Sequence, residues 1–421
     1  MKSAKIIIGA NYGDEAKGLF TDFLCSRTRG GTIVIRFNGG AQAAHTVKLK
    51  DGRRHVFNHI GSGSFTGAAT YLSRFFVCNP ILFAREWSAL SELGVMPDVF
   101  VDPLSLVSTP YDMMINHLAE QARGINRHGS CGLGFGETIE RNLTQDYAIT
   151  VADLLDTRTL QQKLDLIRFN WMPRRLAELG VINVESEWIE RRLSNDLRNR
   201  YVKTVEFFLE CTSLRTAEAI SLYPNLVFEG AQGLLLDQDN GSFPHVTRSN
   251  TGLKNVIALA HDMGLEHLDV HYVTRAYMTR HGAGPLAWEL PEKPYAAIID
   301  HTNVPNPHQG SLRFAWLDID RLTDTIVDDL RQVPSDISTS PSLMVSCLDQ
   351  VGSTITYVQN GQITTTDTAL FIARLQTATC ASRMYISRGP TRATVQFDHA
   401  DSTSTEYLRS LETCQMQIAH V

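Results

Sequence analysis

Short apolar runs alternate with polar, glycine-rich segments from the start of the chain. Residues 5–8 form a β-branched run that ends at a glycine, and apolar residues then recur at helical spacing over residues 19–24. Residues 32–37 form a second apolar run, and residues 46–60, interrupted by an Asp-Gly pair, have the pattern of a hairpin. The chain therefore predicts strand, loop, helix and strand in order, followed by a hairpin.

The later apolar runs continue this alternation. Residues 71–77 predict another strand, and Asn79-Pro80 begins a helix that extends to about residue 93. Residues 153–211 are rich in Glu, Arg and Leu and poor in glycine, which favours helices that cap the sheet. Further strand-like runs, each followed by a glycine-rich or polar loop, lie at residues 226–228, 268–274, 343–346 and 384–387.

Such alternation is typical of an α/β fold. It predicts a single large domain over residues 1–421, with a central, mostly parallel sheet and a helical capping region at about residues 151–220. In such a sheet the ligand loops lie at the carboxyl ends of the strands. No repeat, low-complexity tract or linker divides the sequence, which favours one domain over two.

Composition and charge narrow the class of protein. With 43% hydrophobic and 20% charged residues over 421 positions, the chain has the composition of a globular protein. The formal net charge of −6 provides no global basic surface, so we expect no nucleic-acid partner. Seven cysteines without C-x-x-C spacing argue against a zinc site or a disulfide framework. The apolar run at the amino end is too short for a signal peptide or a membrane span, so we expect a cytoplasmic protein with no membrane partner.

The first loop, residues 9–18, reads Gly-Ala-Asn-Tyr-Gly-Asp-Glu-Ala-Lys-Gly and lies between the first predicted strand and helix. Its glycines allow backbone amides to approach phosphate groups, the helix start favours negative charge, and Lys17 supplies a positive charge. The spacing of a Walker A loop is absent. The glycine count alone supports a phosphate site and a plain tight turn equally, with Asp14 as a turn or capping residue in the second case.

The second loop, residues 38–46, follows the second predicted strand and reads Asn-Gly-Gly-Ala-Gln-Ala-Ala-His-Thr. Its one histidine, His45, would by itself be interpreted as a packed or surface residue rather than a catalytic one. Together the two loops resemble the amino-terminal signatures of the adenylosuccinate synthetase family, a Gly-Asp-Glu-Gly-Lys-Gly loop and a Gly-Gly-x-Asn-Ala-Gly-His-Thr loop. The pair gives His45 a functional interpretation that neither loop supports alone.

The resemblance continues through most of the chain. Residues 228–251 are similar in order and spacing to the family's middle signature, and residues 279–285, Thr-Arg-His-Gly-Ala-Gly-Pro, are similar to its Thr-Arg-Val-Gly-Ala-Gly-Pro segment. Residues 316–318 follow a shortened aspartate loop, and residues 348–349 and 387–390 are similar to the family's contacts with the base of the nucleoside triphosphate. Seven blocks in the same order over about 380 residues are far more specific than one glycine loop.

This resemblance implies a C–N ligase that joins L-aspartate to C6 of a 6-oxopurine nucleotide, using Mg²⁺ and a nucleoside triphosphate. The 6-oxo oxygen is a poor leaving group, so it is first phosphorylated, and the amine of aspartate then displaces phosphate. By the resemblance, Asp14 takes the proton from N1 and His45 supports the charge that develops on O6. Lys17 balances the transferring phosphoryl group, and Gln232 holds O6 or the amination intermediate.

The resemblance also implies contacts for each ligand. The magnesium ligands are Asp14 and Ala44. The substrate-binding residues are Gln42, Ser130, Cys131, Arg141, Thr247, Arg280 and Ser311. The residues that bind the nucleoside triphosphate are Gly13, Glu15, Ala16, Lys17, Gly18, Thr46, Arg313, Cys347, Asp349, Ser387 and Gly389. Without their flanking motifs, Gln232 and Thr247 would be interpreted as loop residues and Arg280 and Arg313 as solvated surface charges.

Members of the family are homodimers in which an arginine reaches the substrate phosphate of the partner subunit, so we expect a homodimer. By strict register that arginine falls at Gln145 in this sequence, and Arg141 is a candidate for the role. The expected partners are thus a purine monophosphate, L-aspartate, a nucleoside triphosphate and a second copy of the chain.

Three departures from the family pattern concern the substrates. The aspartate loop at residues 308–313 keeps one arginine, and Ser311 stands where the family's first arginine serves the ribose 2′-hydroxyl, which suggests a deoxyribose substrate. Glu137 brings a carboxylate into a glycine-rich segment, where it lies either at the surface or beside an extra amino group on the base. Cys347 replaces the lysine that packs on guanine, so an adenine nucleotide becomes a credible donor.

Together these changes are similar to the phage branch of the family, the 2-aminoadenylosuccinate synthetases, which aminate dGMP on the route to diaminopurine DNA and can use ATP or dATP. A phage-encoded chain would act in the host cytoplasm. The alternative within the family is an ordinary adenylosuccinate synthetase that acts on IMP with GTP. From another class, an inactive purine-nucleotide-binding regulator would keep the fold, but the intact Asp14, Lys17 and His45 argue against it.

Overall fold

A ten-stranded sheet forms the centre of the structure, a computed structural model that describes residues 1–124, 127, 129–299 and 310–398. All neighbouring strands are parallel except the last two along the chain, which are antiparallel. The predicted α/β fold with a mostly parallel central sheet is confirmed. The strands lie in the spatial order β18 (Val395–Asp398), β17 (Arg383–Ser387), β14 (Ser338–Ser346), β9 (His267–Arg275), β1 (Ser3–Gly9), β8 (Asn225–Glu229), β2 (Thr32–Arg36), β5 (Ala69–Leu72), β6 (Val99–Val101) and β7 (Ser213–Leu214).

Both faces of this sheet are covered, which explains why its strands are continuous apolar runs rather than alternating ones. In β1, Ile6 and Ile8 belong to one apolar cluster, and Ile7 belongs to a second cluster on the other face. All three side chains are 0% exposed, and each such burial contributes about 1.5–3 kcal/mol. Packing from both sides therefore fixes β1, and with it the start of the loop that follows.

Helices of ordinary length cover the sheet. The described helices are α1 (Lys17–Ser26), α2 (Pro80–Glu92), α3 (Pro110–Arg123), α4 (Phe135–Asn142), α5 (Thr157–Leu166), α6 (Met172–Glu178), α7 (Ser186–Leu193), α8 (Asn195–Glu210), α9 (Ala217–Ile220), α10 (Leu253–Met263), α11 (Ile319–Leu330) and α12 (Thr368–Thr379). As predicted, α2 begins at Pro80, where Asn79 Oδ1 accepts from the amide of Leu82 at 3.2 Å. Helices α5 to α8 lie in the predicted helical stretch. Within the described residues, no helix is long and apolar enough to cross a membrane.

Three small sheets complete the described strands. The predicted hairpin is confirmed, since β3 (His45–Lys48) pairs antiparallel with β4 (Arg54–Phe57). The other two sheets contain β10 (Met278–Arg280), β11 (Glu289–Leu290) and β12 (Arg313–Ala315), and β13 (Leu317–Asp318), β15 (Thr354–Gln359) and β16 (Gln362–Asp367).

The strand predicted at residues 71–77 is wrong in its bounds, because β5 ends at Leu72. The chain turns after that residue, and the amide of Phe76 donates to the carbonyl of Ser73 at 2.8 Å. Phe76 and Val77 are 0% and 5% exposed although they lie in the turn. The apolar run thus continues past the strand because the turn itself is buried.

Candidate active site

The predicted ligand loops follow six neighbouring strands, β17, β14, β9, β1, β8 and β2, at their carboxyl ends. Because these strands are parallel, the loops meet at one edge of the sheet. Contacts between the loops are direct: the amide of Leu348 donates to the Ser387 carbonyl at 3.0 Å, and Ser346 Oγ donates to the Glu15 carbonyl at 3.3 Å. The structure thus brings the first and last motifs of the chain together.

The first loop is a left-handed turn that leads into α1. Gly13, Asp14 and Ala16 have φ angles of +93°, +54° and +70°, a conformation that glycine adopts freely and aspartate tolerates. Helix α1 begins directly afterwards, at Lys17. The turn therefore places Lys17 and the amino end of a helix beside the carboxyl end of β1, where both favour an anionic ligand.

Glu15 and Lys17 are buried beneath this loop, each 3% exposed. Glu15 Oε1 accepts from the backbone and side-chain amides of Asn11, at 2.8 Å each. Burial raises the pKa of Glu15 to about 7, against the opposing charge of Lys17, and burial lowers the pKa of Lys17. A side chain at Gly9 would lie 2.5 Å from Glu15 Oε2 and 2.9 Å from Lys17 Nζ, so the arrangement requires glycine there. The Glu15 side chain faces the protein and its carbonyl accepts from Ser346 Oγ, which leaves the backbone amide of Glu15 for a phosphate contact.

Asp14 is the more accessible acid of the loop, with 34% of its side chain exposed. Its Oδ2 lies 3.1 Å from His281 Nε2, and its carbonyl accepts from Arg275 Nε. Burial alone would raise the pKa of Asp14, but the hydrogen bond and charge of His281, with the charges of Arg275 and Lys17, hold it at about 2. Asp14 is thus an ionised carboxylate that a ligand can approach.

A carboxylate at the end of β8 anchors His45. Its Nδ1 lies 2.8 Å from Glu229 Oε1, while Glu229 Oε2 accepts from the Ser62 amide at 3.0 Å and lies 3.9 Å from Arg36 Nη1. Burial opposes ionisation of Glu229, but the charges of His45 and Arg36 hold its pKa at about 2. Burial lowers the pKa of His45, and Glu229 opposes that shift. Glu229 thus fixes a hydrogen of His45 on Nδ1 and leaves Nε2 for a ligand.

The first, second and middle loops are in contact. A side chain at Gly18 would lie 2.8 Å from His45 Cβ, and one at Gly13 would lie 3.4 Å from Gln232 Cα and 3.6 Å from its Oε1. Gln42 lies on the second loop, and its amide nitrogen and oxygen are buried without a hydrogen-bond partner among the described residues. Buried amides are normally satisfied, so the Gln42 side chain is suited to a polar ligand.

Ser130 and Cys131 lie on a turn that is tied to α3. Ser130 Oγ lies 2.7 Å from Asn116 Nδ2, and the amides of Gly129 and Ser130 donate to Glu120 Oε2 at 2.9 and 3.3 Å. Burial raises the pKa of the Cys131 thiol, which therefore stays neutral. The turn is held by α3 rather than by the loops after the strands. Binding of a monophosphate by Ser130 and Cys131 therefore stays a prediction.

The turn at Ser130 and Cys131 lies near the second loop, and Thr247 is bonded within the middle segment. A side chain at Gly40 would lie 3.1 Å from Phe135 Cδ2, so the start of α4 borders the second loop just after the turn. Thr247 is half-buried, and its amide donates to the Leu236 carbonyl at 2.8 Å. A role for the Thr247 hydroxyl in substrate binding also stays a prediction.

Arg280 is not a solvated surface charge. It is 2% exposed, and its guanidinium donates to the carbonyls of Pro285 at 2.7 Å and His245 at 3.1 Å. The guanidinium also lies 4.4 Å from the centre of the Tyr12 ring. Arg280 thus joins the first loop, the middle segment and the segment after β10. To bind substrate as well, its guanidinium would have to keep these contacts or give some of them up.

Arg313, at the start of β12, is similarly engaged. Its Nε donates to Glu289 Oε1 at 2.7 Å, and its Nη1 donates to the carbonyls of two glycines at 3.0 and 2.9 Å. Ser311, two residues earlier, is exposed. Residues 308–309 of the predicted aspartate loop lie outside the described residues. The retained arginine of this loop is therefore fixed by protein groups, while the serine is open.

The structure contradicts the candidate role of Arg141 across a dimer interface. Arg141 is 0% exposed and donates to both carboxylate oxygens of Asp112, at 2.8 and 3.0 Å, and to the carbonyls of Tyr147 and Val107 at 2.5 and 2.7 Å. A guanidinium bound in this way within its own chain cannot reach a second subunit. Gln145, the position of strict register, is exposed.

Glu137 occupies neither of its two predicted environments. It lies in the first turn of α4, its side chain is 13% exposed, and its Oε2 accepts from Arg175 Nε at 2.8 Å. The carboxylate is thus neither a surface residue nor an open acceptor for an amino group on the base. Its partner on α6 could not be found from local sequence, because 38 residues separate the two.

The loops predicted to hold the base of the triphosphate lie side by side. Cys347 has a φ of +61°, and the carboxylate of Asp349 is exposed. On the adjacent loop, Ser387 Oγ donates to the carbonyl of Gly389 at 2.8 Å. Thr46 is half-buried in β3. The carboxylate of Asp349 is thus accessible, and its oxygens can accept hydrogen bonds from a ligand.

The donors of the site fit Mg²⁺ bound together with phosphates. Among the described residues, no cluster of three or more His, Cys, Asp or Glu side chains could hold a metal ion by itself. Protein sites usually hold Mg²⁺ through one or two carboxylates, with substrate phosphates completing its oxygen ligands. The ionised Asp14 fits this role, and the exposed Ala44 can offer a carbonyl oxygen.

Three residues of the site received no role from the sequence, namely Arg36, Glu229 and His281. Arg36 and Glu229 lie opposite each other at the ends of β2 and β8. A charged residue that ends an apolar strand is unusual in a core, and this is the signal that indicates them. The signal for His281 is the histidine within residues 279–285, where the similar family segment has valine.

A separate polar cavity of about 500 Å³ lies at the opposite edge of the sheet, at the amino ends of the strands. Lys5, Asn225, His267 and Arg383 are among the residues that line it. None of the predicted site residues lines this cavity, so its size has no bearing on the site at the carboxyl ends.

Comparison with known proteins connects these loops to a family. The adenylosuccinate synthetase family model matches residues 6–415. The adenylosuccinate synthetase of Borrelia duttonii (strain Ly) is 29% identical over 325 residues, which cover 74% of this chain and 71% of that protein. The adenylosuccinate synthetase of Microcystis aeruginosa is 33% identical over 290 residues, which cover 68% of this chain and 62% of that protein.

Solved structures show the same fold. The fully ligated adenylosuccinate synthetase from Plasmodium falciparum aligns with a TM-score of 0.71 at 17% identity, over 94% of this chain and 99% of that one. The cyanophage S-2L succinoaminodeoxyadenylate synthetase aligns with a TM-score of 0.57 at 15% identity, over 99% of both chains. The match of the family model over nearly the whole chain shows that this protein belongs to the adenylosuccinate synthetase family of C–N ligases.

Proposed function

We propose that this ligase joins L-aspartate to C6 of dGMP, with ATP or dATP as the phosphoryl donor. The observation that carries the choice of a deoxyribonucleotide is the pair Ser311 and Arg313. Ser311 is exposed where the resemblance places an arginine for the ribose 2′-hydroxyl. Arg313 cannot replace that arginine without leaving Glu289 and two backbone carbonyls. A ribose 2′-hydroxyl would therefore find no arginine here.

The choice of an adenine donor rests on the loop at Cys347. A lysine stem at this position would cover a guanine ring, and cysteine provides no such stem. The similarly folded cyanophage S-2L enzyme was solved with dGMP and with dATP as an energy donor, which supports the same pair of nucleotides for this chain.

The chemistry proposed for this site has two steps. The O6 atom of the base bonds to the γ-phosphorus as the bond from that phosphorus to its bridging oxygen breaks, and the N1 proton passes to Asp14. Lys17 stabilises the charge on the moving phosphoryl group. Glu229 and the negative charge that develops on O6 together favour the His45 imidazolium, which donates from Nε2 to O6. The amine of aspartate then bonds to C6 and the bond from C6 to O6 breaks, so that phosphate leaves with that oxygen. The proton that the amine loses passes to the departing phosphate, and Gln232 holds the intermediate.

Asp14 and the Ala44 carbonyl would hold Mg²⁺ in this proposal. The ion, when bound, adds positive charge beside the phosphate oxygens. The protein's own contribution is the buried Lys17 and the amino end of α1, which need no reorganisation when the phosphates arrive. A homodimer and a single-domain organisation also belong to the proposal, with Gln145 rather than Arg141 at the expected dimer position.

The second candidate is an ordinary adenylosuccinate synthetase that acts on IMP with GTP. Two observations favour it. The curated relatives described above are adenylosuccinate synthetases, and the ion pair of Glu137 with Arg175 removes one acceptor that would have selected a 2-amino group. The reaction type is the same in both candidates, so only the substrates separate them.

The test is steady-state phosphate release with aspartate and Mg²⁺ for dGMP, GMP and IMP, each with ATP, dATP and GTP. The proposal expects the highest kcat/KM for dGMP, with GMP lower by a few-fold, since a hydroxyl without a protein partner can bind water instead. Ser311→Arg should raise the use of GMP relative to dGMP. Ser91→Arg, at an exposed serine on α2, is the matched control.

Other outcomes assign the alternatives. If IMP gives the highest kcat/KM with every donor, the chain is an ordinary adenylosuccinate synthetase. If nucleotides bind but no monophosphate supports phosphate release, the catalytic proposal is wrong. The chain would then be an inactive purine-nucleotide-binding regulator.

A further inference from the structure

The side chain and the backbone of Asp14 are both held by one neighbouring segment, residues 275–281. His281 directly follows β10, and its Nε2 lies 3.1 Å from Asp14 Oδ2. Arg275, the last residue of β9, donates its Nε to the Asp14 carbonyl. The side chains of His281 and Asp14 are 21% and 34% exposed, so the pair lies at the accessible surface of the site.

We propose that His281 is a positioning residue for Asp14. By holding Oδ2 of Asp14, His281 keeps Oδ1 directed at N1 of the purine. The inference rests on the proposed function, because it assigns a cause to the geometry of the same proton acceptor. The final torsion of an aspartate side chain has a broad minimum, so the carboxylate plane is poorly fixed by its own chain. A directional hydrogen bond to one oxygen selects one orientation for the other.

The need for such a bond follows from the loop. Asp14 lies in a left-handed turn with φ of +54°, beside a glycine, and not in a helix or strand that would fix its side chain. Arg275 fixes the backbone of the turn by donating to the carbonyl of Asp14, and its charge also acts on the Asp14 carboxylate. His281 provides a directional hydrogen bond to the carboxylate itself. Each carboxylate oxygen has two lone pairs, so Asp14 can accept this bond and still offer an oxygen to Mg²⁺.

The hydrogen bond is compatible with the proton transfer. When the bond from N1 to hydrogen breaks and the proton bonds to Oδ1, the neutral carboxyl group keeps Oδ2 as its carbonyl oxygen. His281 Nε2 can continue to donate to that oxygen, so no proton needs to move on the imidazole. His281 thus acts through Asp14 and not on the substrate.

The experiment uses the full chain with three variants. His281→Leu removes the donor, and His281→Asn keeps an N–H donor on a shorter side chain. His267→Leu is the control, since His267 lies at the amino end of β9 and bonds to Ser338 Oγ at 2.8 Å, on the far edge of the sheet. Phosphate release gives kcat and KM for the best monophosphate and triphosphate, and crystal structures give the orientation of the Asp14 carboxylate.

We expect His281→Leu to lower kcat by about 10- to 100-fold, because a misplacement of about 1 Å can cost about 10²-fold. The KM values should change by less than about threefold, His281→Asn should recover at least about a third of wild-type kcat, and His267→Leu should match the wild type. The Asp14 carboxylate should rotate in His281→Leu alone.

Several results would overturn the inference. They are a wild-type kcat in His281→Leu, an unchanged Asp14 orientation, a loss confined to KM, or no recovery in His281→Asn. If His281→Leu does not fold, a kcat for His281→Asn below about a tenth of the wild-type value would also overturn the inference. A wild-type chain that releases no phosphate with any monophosphate would refute the proposed function instead, and the two crystal structures would still decide whether His281 orients Asp14.

Discussion

Glu229→Gln provides the strongest test of how the site is built. Glu229 is 0% exposed and faces three donors, His45 Nδ1 at 2.8 Å, the Ser62 amide at 3.0 Å and Arg36 Nη1 at 3.9 Å. A glutamine keeps one oxygen but turns an NH₂ group toward these donors and removes the negative charge. Arg36, also 0% exposed, would be left as a buried cation without its carboxylate.

The expected loss of stability can be estimated in two ways. Removing one partner of a buried ion pair costs about 3–5 kcal/mol. The pKa of Glu229 is held at about 2, below its ordinary 4.5, and at 1.36 kcal/mol per pKa unit this difference corresponds to about 3 kcal/mol. A lowered pKa means that the stabilisation is present above pH 4.5 and is lost as the pH falls toward 2. At pH 7.5 the whole effect should appear.

The catalytic loss should come from His45, which loses the carboxylate that fixes its Nδ1 hydrogen and favours its imidazolium. We expect kcat to fall by about 10²-fold, the cost of one misplaced transition-state donor. A double-mutant cycle with His45→Asn should be strongly non-additive, because the two residues act as one unit.

The assays are urea unfolding at pH 7.5 and phosphate release at a temperature where both proteins are folded. Glu266→Gln is the matched control, since Glu266 is 63% exposed and lies at the far edge of the sheet. A stability loss below about 1 kcal/mol together with unchanged kcat would refute the reasoning. Additive effects of the two substitutions on kcat would show that His45 does not act through Glu229.

Three further predictions concern single residues. His45→Asn should lower kcat by about 10²- to 10³-fold in phosphate release and change triphosphate affinity, measured by calorimetry, by less than about tenfold. A wild-type kcat would return His45 to a packing role. Cys347→Lys should raise the ratio of kcat/KM for GTP to that for ATP, because a lysine stem would cover the guanine ring, and an unchanged ratio would place this turn outside the base site. Asp329→Asn tests a buried acid whose pKa burial raises to about 7, against bonds from the Leu253 amide and Tyr272 hydroxyl. Because this pKa is raised, protonated Asp329 stabilises the wild-type fold at low pH, and that stabilisation is lost as the pH rises through 7. Between pH 5 and pH 8 the free energy of unfolding of the variant should therefore rise by about 2–3 kcal/mol relative to that of the wild type, measured by urea unfolding. A constant difference would contradict it.

The local fold could be predicted because apolar periodicity follows burial. The runs at residues 5–8, 32–37 and 226–228 correspond to β1, β2 and β8, and the Asn79-Pro80 pair marks the start of α2. The run at residues 71–77 misled for the same reason, since Phe76 and Val77 are buried in a turn rather than a strand. Hydrophobicity thus reports the environment of a residue more reliably than its backbone conformation.

The sheet order could not be predicted in the same way. Strand β8 lies between β1 and β2, although about 190 residues separate it from β2 along the chain. Parallel strands need long crossovers, and nothing local in a sequence records which strands will be neighbours. Arg141 and Glu137 show the same limit for side chains, because their partners Asp112 and Arg175 lie 29 and 38 residues away.

The same non-local pairing explains why the motifs of this chain identify the reacting residues but not the residues that orient them. Lys17 and His45 lie in glycine-rich loops that are recognisable from sequence, whereas Glu229 becomes meaningful only once β8 lies against β2. There its carboxylate joins the end of β2, the start of β3 and the amide of Ser62. Burying such charges is costly unless each is paired, so the cluster is stable only when all three segments are in place. The packing that stabilises the sheet edge is therefore the packing that orients His45, and stability and turnover should respond together to changes at Glu229.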